Sequence, residues 1–241
     1  MIDLENTMFK GKKVALHFSG GKDSLACLYY LKPHWAEIDV VWCNTGAAFP
    51  ETIEQMAKIR TTVPRFIEVR SDQPANNVSC GVPADIVPVS HTPLHNVFTR
   101  GSNPLIQSFV DCCRANIWLP MHEASLGYDV IIRGQKESDH KKAPVKSGER
   151  IDGVEYYFPL EDWTDDDVYQ YLAENDIELP ITYKYFGSSA DCWSCTAFLS
   201  ESKGKRTYLA KFHPEKYEIV SQRIILIKNA IADDFQYLEQ E

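Results

Sequence analysis

Six residues, Ser19-Gly20-Gly21-Lys22-Asp23-Ser24, follow the short apolar run Lys13 to Phe18 and precede a helical pattern from Ser24 to Leu31 that Pro33 stops. A strand, a glycine turn and a helix make an anion site, because the glycines let the backbone approach and the first helical N–H groups point at the ligand. Ser19 and Ser24 add hydroxyl donors and Lys22 adds a charge. The spacing is not that of the Walker loop, which needs four residues between its first glycine and Gly-Lys. A bare glycine turn is the alternative; the flanking serines, Lys22 and Asp23 favour the anion site.

The second chemical feature is two pairs of cysteines, Cys112-Cys113 and Cys192-Trp193-Ser194-Cys195. Iron-sulfur clusters take cysteine thiolates, usually four, and Cys192 and Cys195 can be offered together by one turn. Adjacent cysteines diverge, although at a helix start both can face one cluster. A closed tetrahedral zinc site and buried structural cysteines remain the alternatives on spacing alone. Of the other three, Cys27 reads as core on the first helix and Cys43 ends a strand. Cys80, beside Gly81 and Pro83, is the candidate thiol if one acts at all.

These groups need a frame. Ile38 to Cys43 and Phe66 to Val69 read as further strands, with a helix from Pro50 to Arg60 between them. This β-α-β-α-β alternation predicts an open, mostly parallel sheet with helices on both faces, the Rossmann-like arrangement. Arg70 to Asn103 reads as a long irregular excursion serving a site. A helix is expected from about Asp111 to Ser125, a buried strand from Asp129 to Arg133, and a polar, lysine-rich mobile stretch from Gln135 to Gly153. Glu155 to Leu160 reads as a hairpin-like strand. Thr164 with Asp167 resembles a capping box that opens a helix, and Ile219 to Leu238 supplies a last amphipathic helix.

With 241 residues and 44% hydrophobic composition, the chain can bury a substantial core. One nucleotide-binding domain over residues 1–200 with a helical extension over 201–241 is expected. No run approaches the roughly 18 apolar residues of a membrane span, and the acidic start is unlike a secretory signal, so a cytoplasmic protein without membrane contact is expected. Seven cysteines, an odd number, argue against a disulfide framework. The net charge of −9 argues against non-specific binding to nucleic acid. His91 and His95 stand i, i+4 but enclose Pro93, which disfavours a helical metal pair. His140, Lys141, Lys142, Lys146 and Arg150 read as a solvated lid, or as a flap closing on phosphates or a nucleic acid.

Taken in order, several segments resemble the phosphoadenylyl-sulfate and adenylyl-sulfate reductase family, within the wider group of ATP pyrophosphatases that share the Ser-Gly-Gly-x-Asp-Ser loop. They are Ser19 to Ser24; Asn44-Thr45-Gly46-Ala47-Ala48-Phe49-Pro50-Glu51-Thr52; Cys112-Cys113-Arg114; Phe158 to Thr164, with Asp167-Val168 and Tyr171-Leu172; and Cys192 to Thr196 with the preceding Asp191. The resemblance implies the adenine nucleotide alpha hydrolase-like fold and an adenine nucleotide, ATP or adenylyl sulfate. Its iron-sulfur branch implies a [4Fe-4S] cluster on Cys112, Cys113, Cys192 and Cys195. It also implies that Ser19, Gly20, Gly21, Lys22, Asp23 and Ser24 hold a phosphate or sulfate, that Thr45 and Gly46 border the adenosine, and that Gly134 and Lys136 complete the site.

The departures bear on the reaction. Asn44 replaces the family aspartate, and Gly134, Lys136 and Asp139 only approximate its Gly-x-Arg-x-x-Glu; a lysine lacks the bidentate fork of arginine. The reductases carry a nucleophilic cysteine on a C-terminal Glu-Cys-Gly tail, whereas here no cysteine follows Cys195. The expected activity is therefore ATP-dependent adenylation, assisted by Mg²⁺, with sulfur transfer to an acceptor that includes RNA or DNA in some relatives. The alternatives are a true reductase served by Cys80 or a thioredoxin-like partner, and a nucleotide-binding redox sensor without turnover. A homo-oligomer is expected in each case.

Overall fold

The computed structural model describes residues 9–92, 95, 97–98, 105–139, 142–187, 192–198 and 203–239. The chain runs β1 (Val14–His17), α1 (Lys22–Tyr30), β2 (Ile38–Asn44), α2 (Pro50–Thr62) and β3 (Phe66–Arg70). There follow α3 (Gln73–Cys80), β4 (Val82–Ala84), β5 (Ile106–Ser108), α4 (Phe109–Cys113), a π-helical turn at Arg114–Trp118 and α5 (Leu119–Ser125). The remainder is β6 (Val130–Ile132), β7 (Arg150–Ile151), β8 (Val154–Tyr157), α6 (Asp165–Glu174), α7 (Tyr183–Phe186), α8 (Lys203–Phe212) and α9 (Pro214–Glu239).

Six strands form one sheet in the order β3-β2-β1-β6-β8-β7, parallel except where β7 runs antiparallel to β8. Period-2 alternation sends β1 residues to opposite faces. Val14 and Leu16 pack with Leu25 and Leu28 of α1, Met56 and Ile59 of α2, and Val168 and Leu172 of α6. Ala15 joins Val41, Ile131, Tyr156 and Phe158 on the other face, against which Met121 of α5 packs. The apolar character of these short strands thus comes from coverage on both sides. Each fully buried aliphatic side chain contributes about 1.5–3 kcal/mol over exposure.

Strand order reverses at β1: β2 lies on one side of it and β6 on the other. At such a switch the connections leave in opposite directions and open a crevice at the carboxyl ends of the strands. The loop after β1 and the turn after β6 meet there. Gly134 allows the meeting, since a Cβ on it would lie 2.5 Å from the Asp23 carbonyl oxygen and 3.0 Å from the Ser24 nitrogen.

Three stretches differ from the sequence expectations. The excursion from Arg70 to Asn103 contains α3, β4 and a 3₁₀ turn at Val89–His91. Asp72 caps α3 by accepting from the Ala75 amide at 2.9 Å, and β4 becomes a strand only by pairing with β5. The helix expected from Asp111 starts at Phe109, where the Ser108 side chain caps it, and is interrupted by the π turn. The stretch after Gln135 is tied down in its described part: the Gly148 amide donates to the Tyr156 carbonyl at 2.7 Å, and the Gln135 side chain bonds the backbone of Ala143 and Val145. His140 and Lys141 of the expected flap, Pro93 and Asp191 lie outside the described residues. The capping box at Thr164 and Asp167 is formed as expected.

The two C-terminal helices pack on the start of α2 and on the β4–β5 pair. Tyr208, Leu209 and Val220 bury Phe49, and Leu226, Ile227, Ala230 and Ile231 pack on Val82, Ala84 and Ile106. Glu51, in the first turn of α2, accepts from the Tyr208 hydroxyl at 2.5 Å and stands 2.7 Å from His213 Nε2. Among the described residues no helix is long and apolar enough to cross a membrane.

Gly134→Ala drives a methyl group into backbone rather than into a yielding side chain. We expect a loss of roughly 1–3 kcal/mol, read as a lowered thermal midpoint, together with weakened nucleotide binding. A variant with the wild-type melting curve would contradict the close approach.

Candidate functional site

A cavity of about 440 Å³ opens at the switch point, lined by His17, Ser19, Gly21, Lys22, Asp23, Ser24, Arg133, Gly134, Gln135, Asp165, Tyr183 and Gly187. Its wall is the loop identified in the sequence. Gly20 takes φ +81° and sits under α2, where Gln55 Nε2 donates to its carbonyl at 3.1 Å. Ser24 donates to the Gly21 carbonyl at 2.9 Å, and its hydroxyl lies 3.1 Å from that of Ser19. The Lys22 amide, a first-turn donor of α1, donates to the Tyr183 hydroxyl oxygen at 2.7 Å, in the place where an anion's oxygen would accept.

Below the loop lies a charged cluster. Lys22 Nζ bonds Asp23 at 2.9 Å and Asp165 at 2.8 Å. Lys136, completely buried at its side chain, reaches Asp23 at 2.5 Å, Asp139 at 2.7 Å and Asp165 at 3.2 Å. Burial by itself would lower the Lys136 pKa, but the hydrogen bonds with Asp139 and Asp23 outweigh it and hold it above the ordinary lysine value. Hydrogen bonding from Lys22 holds Asp165 below its ordinary value. The structure therefore places Lys136 beneath the loop as its support, outside the cavity lining. Thr45 and Gly46 also stand off the lining: Thr45 is buried with its hydroxyl 3.2 Å from Cys192 Sγ.

That contact links the loop after β2 to the cysteines. The Trp193 amide donates to Ala47 at 2.9 Å, and Ala48 forms an isolated antiparallel bridge with Cys192, so the Cys-x-x-Cys turn is pinned to the loop after β2. Ser194 donates to Gln73 Oε1 at 2.9 Å, and Gln73 also stands against the Cys112 thiol. Asn116 Nδ2 lies 3.8 Å from Cys112 Sγ. From the C-terminal helices, Lys205 Nζ donates to the Cys192 and Cys195 carbonyls at 2.8 and 2.9 Å, and Arg223 donates to Ser194 O at 2.8 Å. Burial lowers the Arg223 pKa while Cys112 and Cys195 oppose that shift, so both cysteines feel one guanidinium.

Two distant cysteine segments thus share one neighbourhood around Gln73 and Arg223. Among the described residues no group of three or more His, Cys, Asp or Glu side chains stands as a ready metal site. The donor set suits the implied iron-sulfur cluster in kind, being four thiols with a partly buried cation facing two of them. Burial, then the neighbouring Cys195, pushes the Cys112 thiol up to about 11. Burial likewise pushes Cys43 up to about 11, against the effect of Ser71. Cys27 is fully buried in the core. Cys80 ends α3, half-buried beside Asn76 and Ser79, and is not among the residues lining the cavity.

The sequence reading did not single out His17, Arg133, Gln135, Asp165 or Tyr183 for the site. His17 and Arg133 end the two strands flanking the switch, a signal available once their adjacency is assumed. Asp165 was visible only as a first-turn acid, and Tyr183 carried no signal.

With this geometry in place, the comparisons with known proteins define the class. The profile of the phosphoadenosine phosphosulfate reductase domain matches residues 13–198, and the chain belongs to that family. The adenosine 5'-phosphosulfate reductase of Mycobacterium tuberculosis is 25% identical over 177 residues, covering 70% of this chain and 61% of the relative. That of Neisseria meningitidis is 23% identical over 165 residues, covering 66% and 62%. The chain thus spans about three fifths of the length of the curated relatives it matches. In fold it is similar to the phosphoadenylyl-sulfate reductase of Candida auris, with a TM-score of 0.53 at 15% identity, covering 79% of this chain and 86% of that one.

Burial, reinforced by the Arg133 charge, pushes the His17 pKa down to about 3. The unfolded chain takes up this proton near pH 6.5, so between about 6.5 and 3 it binds more protons than the folded chain. Stability contributed by neutral His17 should therefore fall as pH drops through that window, by up to about 1.4 kcal/mol per unit. His17→Asn should flatten this part of the unfolding free energy measured against pH; a slope unchanged by the substitution would contradict it.

Proposed function

We propose that this chain is an adenine-nucleotide-dependent enzyme of sulfur chemistry that activates an acceptor by adenylation, with sulfur transfer to follow. The observation that carries the reading is the donor-lined cavity at the switch point, joined through the turn after β2 to a neighbourhood of cysteines. Ser19, Gly20, Gly21, Lys22, Asp23 and Ser24 hold the phosphates, Gly134 admits the loop, and Lys136 keeps Asp23 in place from below. Thr45 and Gly46 border the adenosine on the cysteine side. An acceptor oxygen bonds the α-phosphorus of ATP as the bond to the bridging oxygen breaks, and pyrophosphate leaves; Mg²⁺, when bound, would supply charge neutralisation for the departing pyrophosphate.

Cys112, Cys113, Cys192 and Cys195 would hold a [4Fe-4S] cluster, which supplies electron transfer or a landing point for sulfur when bound. Lys205 and Arg223 orient the Cys-x-x-Cys turn through its carbonyls. No cysteine is among the described residues lining the cavity, which favours an external acceptor over attack by Cys80. The protein is read as cytoplasmic, a homo-oligomer, and served by a sulfur donor.

A second reading has a specific observation behind it, the 25% identity to adenosine 5'-phosphosulfate reductases. It makes the chain a sulfonucleotide reductase whose thiol comes from Cys80 or a thioredoxin-like partner. Anaerobically purified protein separates the readings. Adenylation predicts pyrophosphate release or exchange with ATP; sulfite release from adenylyl sulfate or its 3'-phosphorylated form, without pyrophosphate chemistry, establishes the reductase. Tight nucleotide binding with neither product leaves a redox-sensing module. Cys195→Ser should lose most of the protein-bound iron, and unchanged iron content would remove the ligand assignment.

A further inference from the structure

The two lysines of the nucleotide site are already committed. Lys22 is engaged by Asp23 and Asp165, and Lys136 by Asp23, Asp139 and Asp165. Arg133 differs from both. It lines the cavity, its guanidinium carbon lies 5.2 Å from the centre of the Tyr156 ring, and its Nε is buried with no hydrogen-bond partner among the described residues. A buried guanidinium N–H without an acceptor costs about 1–3 kcal/mol or more, and among the cavity-lining side chains Arg133 is the cation that keeps such a donor.

Its position indicates which acceptor. Leu16 of β1 pairs with Ile132 of β6, so His17 and Arg133 follow as neighbours at the ends of adjacent strands. Those strands lie about 4.8 Å apart. The loop from Ser19 continues β1, and Arg133 lines the same cavity as that loop. The Tyr156 ring, 5.2 Å from the guanidinium carbon, lies within cation–π reach of it, and the planar guanidinium suits a two-pronged grip on a tetrahedral oxyanion. His17, kept neutral there, brings no competing charge.

We propose that Arg133 binds a second anionic group, linked to the one held by Ser19 to Ser24, so that the site selects nucleotides with linked phosphate or phosphosulfate groups over a nucleoside monophosphate. The fork expected in the family at the position of Lys136 is supplied here by the residue just before Gly134. The inference rests on the nucleotide reading of the cavity and assigns Arg133 as a specificity-determining residue of that same site.

The test is calorimetric titration of the purified chain with ATP, adenylyl sulfate and AMP, for wild type, Arg133→Met and Arg133→Lys. Arg133→Met should weaken ATP and adenylyl sulfate binding about 10- to 100-fold and leave AMP within about twofold, with AMP binding serving as the control for a folded site. Arg133→Lys should recover part of the loss, because a point charge lacks the fork. Arg133→Met that binds ATP like wild type, or that weakens all three ligands equally, overturns the proposal while leaving the proposed function intact. Wild type that binds none of the three overturns the nucleotide reading and this inference together.

Discussion

The contact between the turn after β6 and the loop after β1 is the constraint on which the site depends. The Gly134 Cα faces the Asp23 carbonyl at a distance that admits no side chain. Because β1 and β6 are hydrogen-bonded neighbours in a parallel sheet, their carboxyl ends arrive together. If the two turns stood further apart, the loop would lose the wall that orients Asp23 and Ser24, and Arg133 would move away from the cradle. Packing density transmits the requirement, since both sheet faces are filled and the strands have little room to shift.

Electrostatics follows from that geometry. Three carboxylates and two lysines are interleaved beneath the loop, with the lysines almost fully buried. Buried charges persist when each is paired and hydrogen-bonded, and removing one member leaves the rest uncompensated. The cluster therefore serves as a foundation: every lysine in it is paired with carboxylates, and Lys22 and Lys136 together fix Asp23. Facing the cavity are the first N–H groups of α1, whose partial positive charge favours an anion, together with Lys22 and Arg133.

The cysteine neighbourhood is assembled from five separate parts of the chain: the turn after β2, α3, α4, the segment from Cys192 to Cys195, and the C-terminal helices. Lys205 and Arg223 bind carbonyls of the Cys-x-x-Cys turn, and both lie on helices that also bury Phe49 and bracket Glu51. The C-terminal helices are thus structural partners of the turn that Thr45 links to the cysteines.

Much of this was legible in the residues, because local physics sufficed. Short apolar runs between glycines read as buried strands, Thr164 and Asp167 read as a cap, and the Ser-Gly-Gly run read as the turn between a strand and a helix, each within a few residues of its signal. Where pairing partners are distant, the sequence was silent. Val82 to Ala84 is a strand only because Ile106 to Ser108 lies beside it, and the polar stretch after Gln135 is held by bonds reaching Tyr156. Lys136 read as a ligand for phosphate because its charge was visible and its burial was not; three carboxylates from separate segments meet it only in the folded chain. The chain by itself thus determined which residues can do chemistry and the elements that carry them. Tertiary structure decided which charges remain available, since availability depends on partners brought together across the sheet.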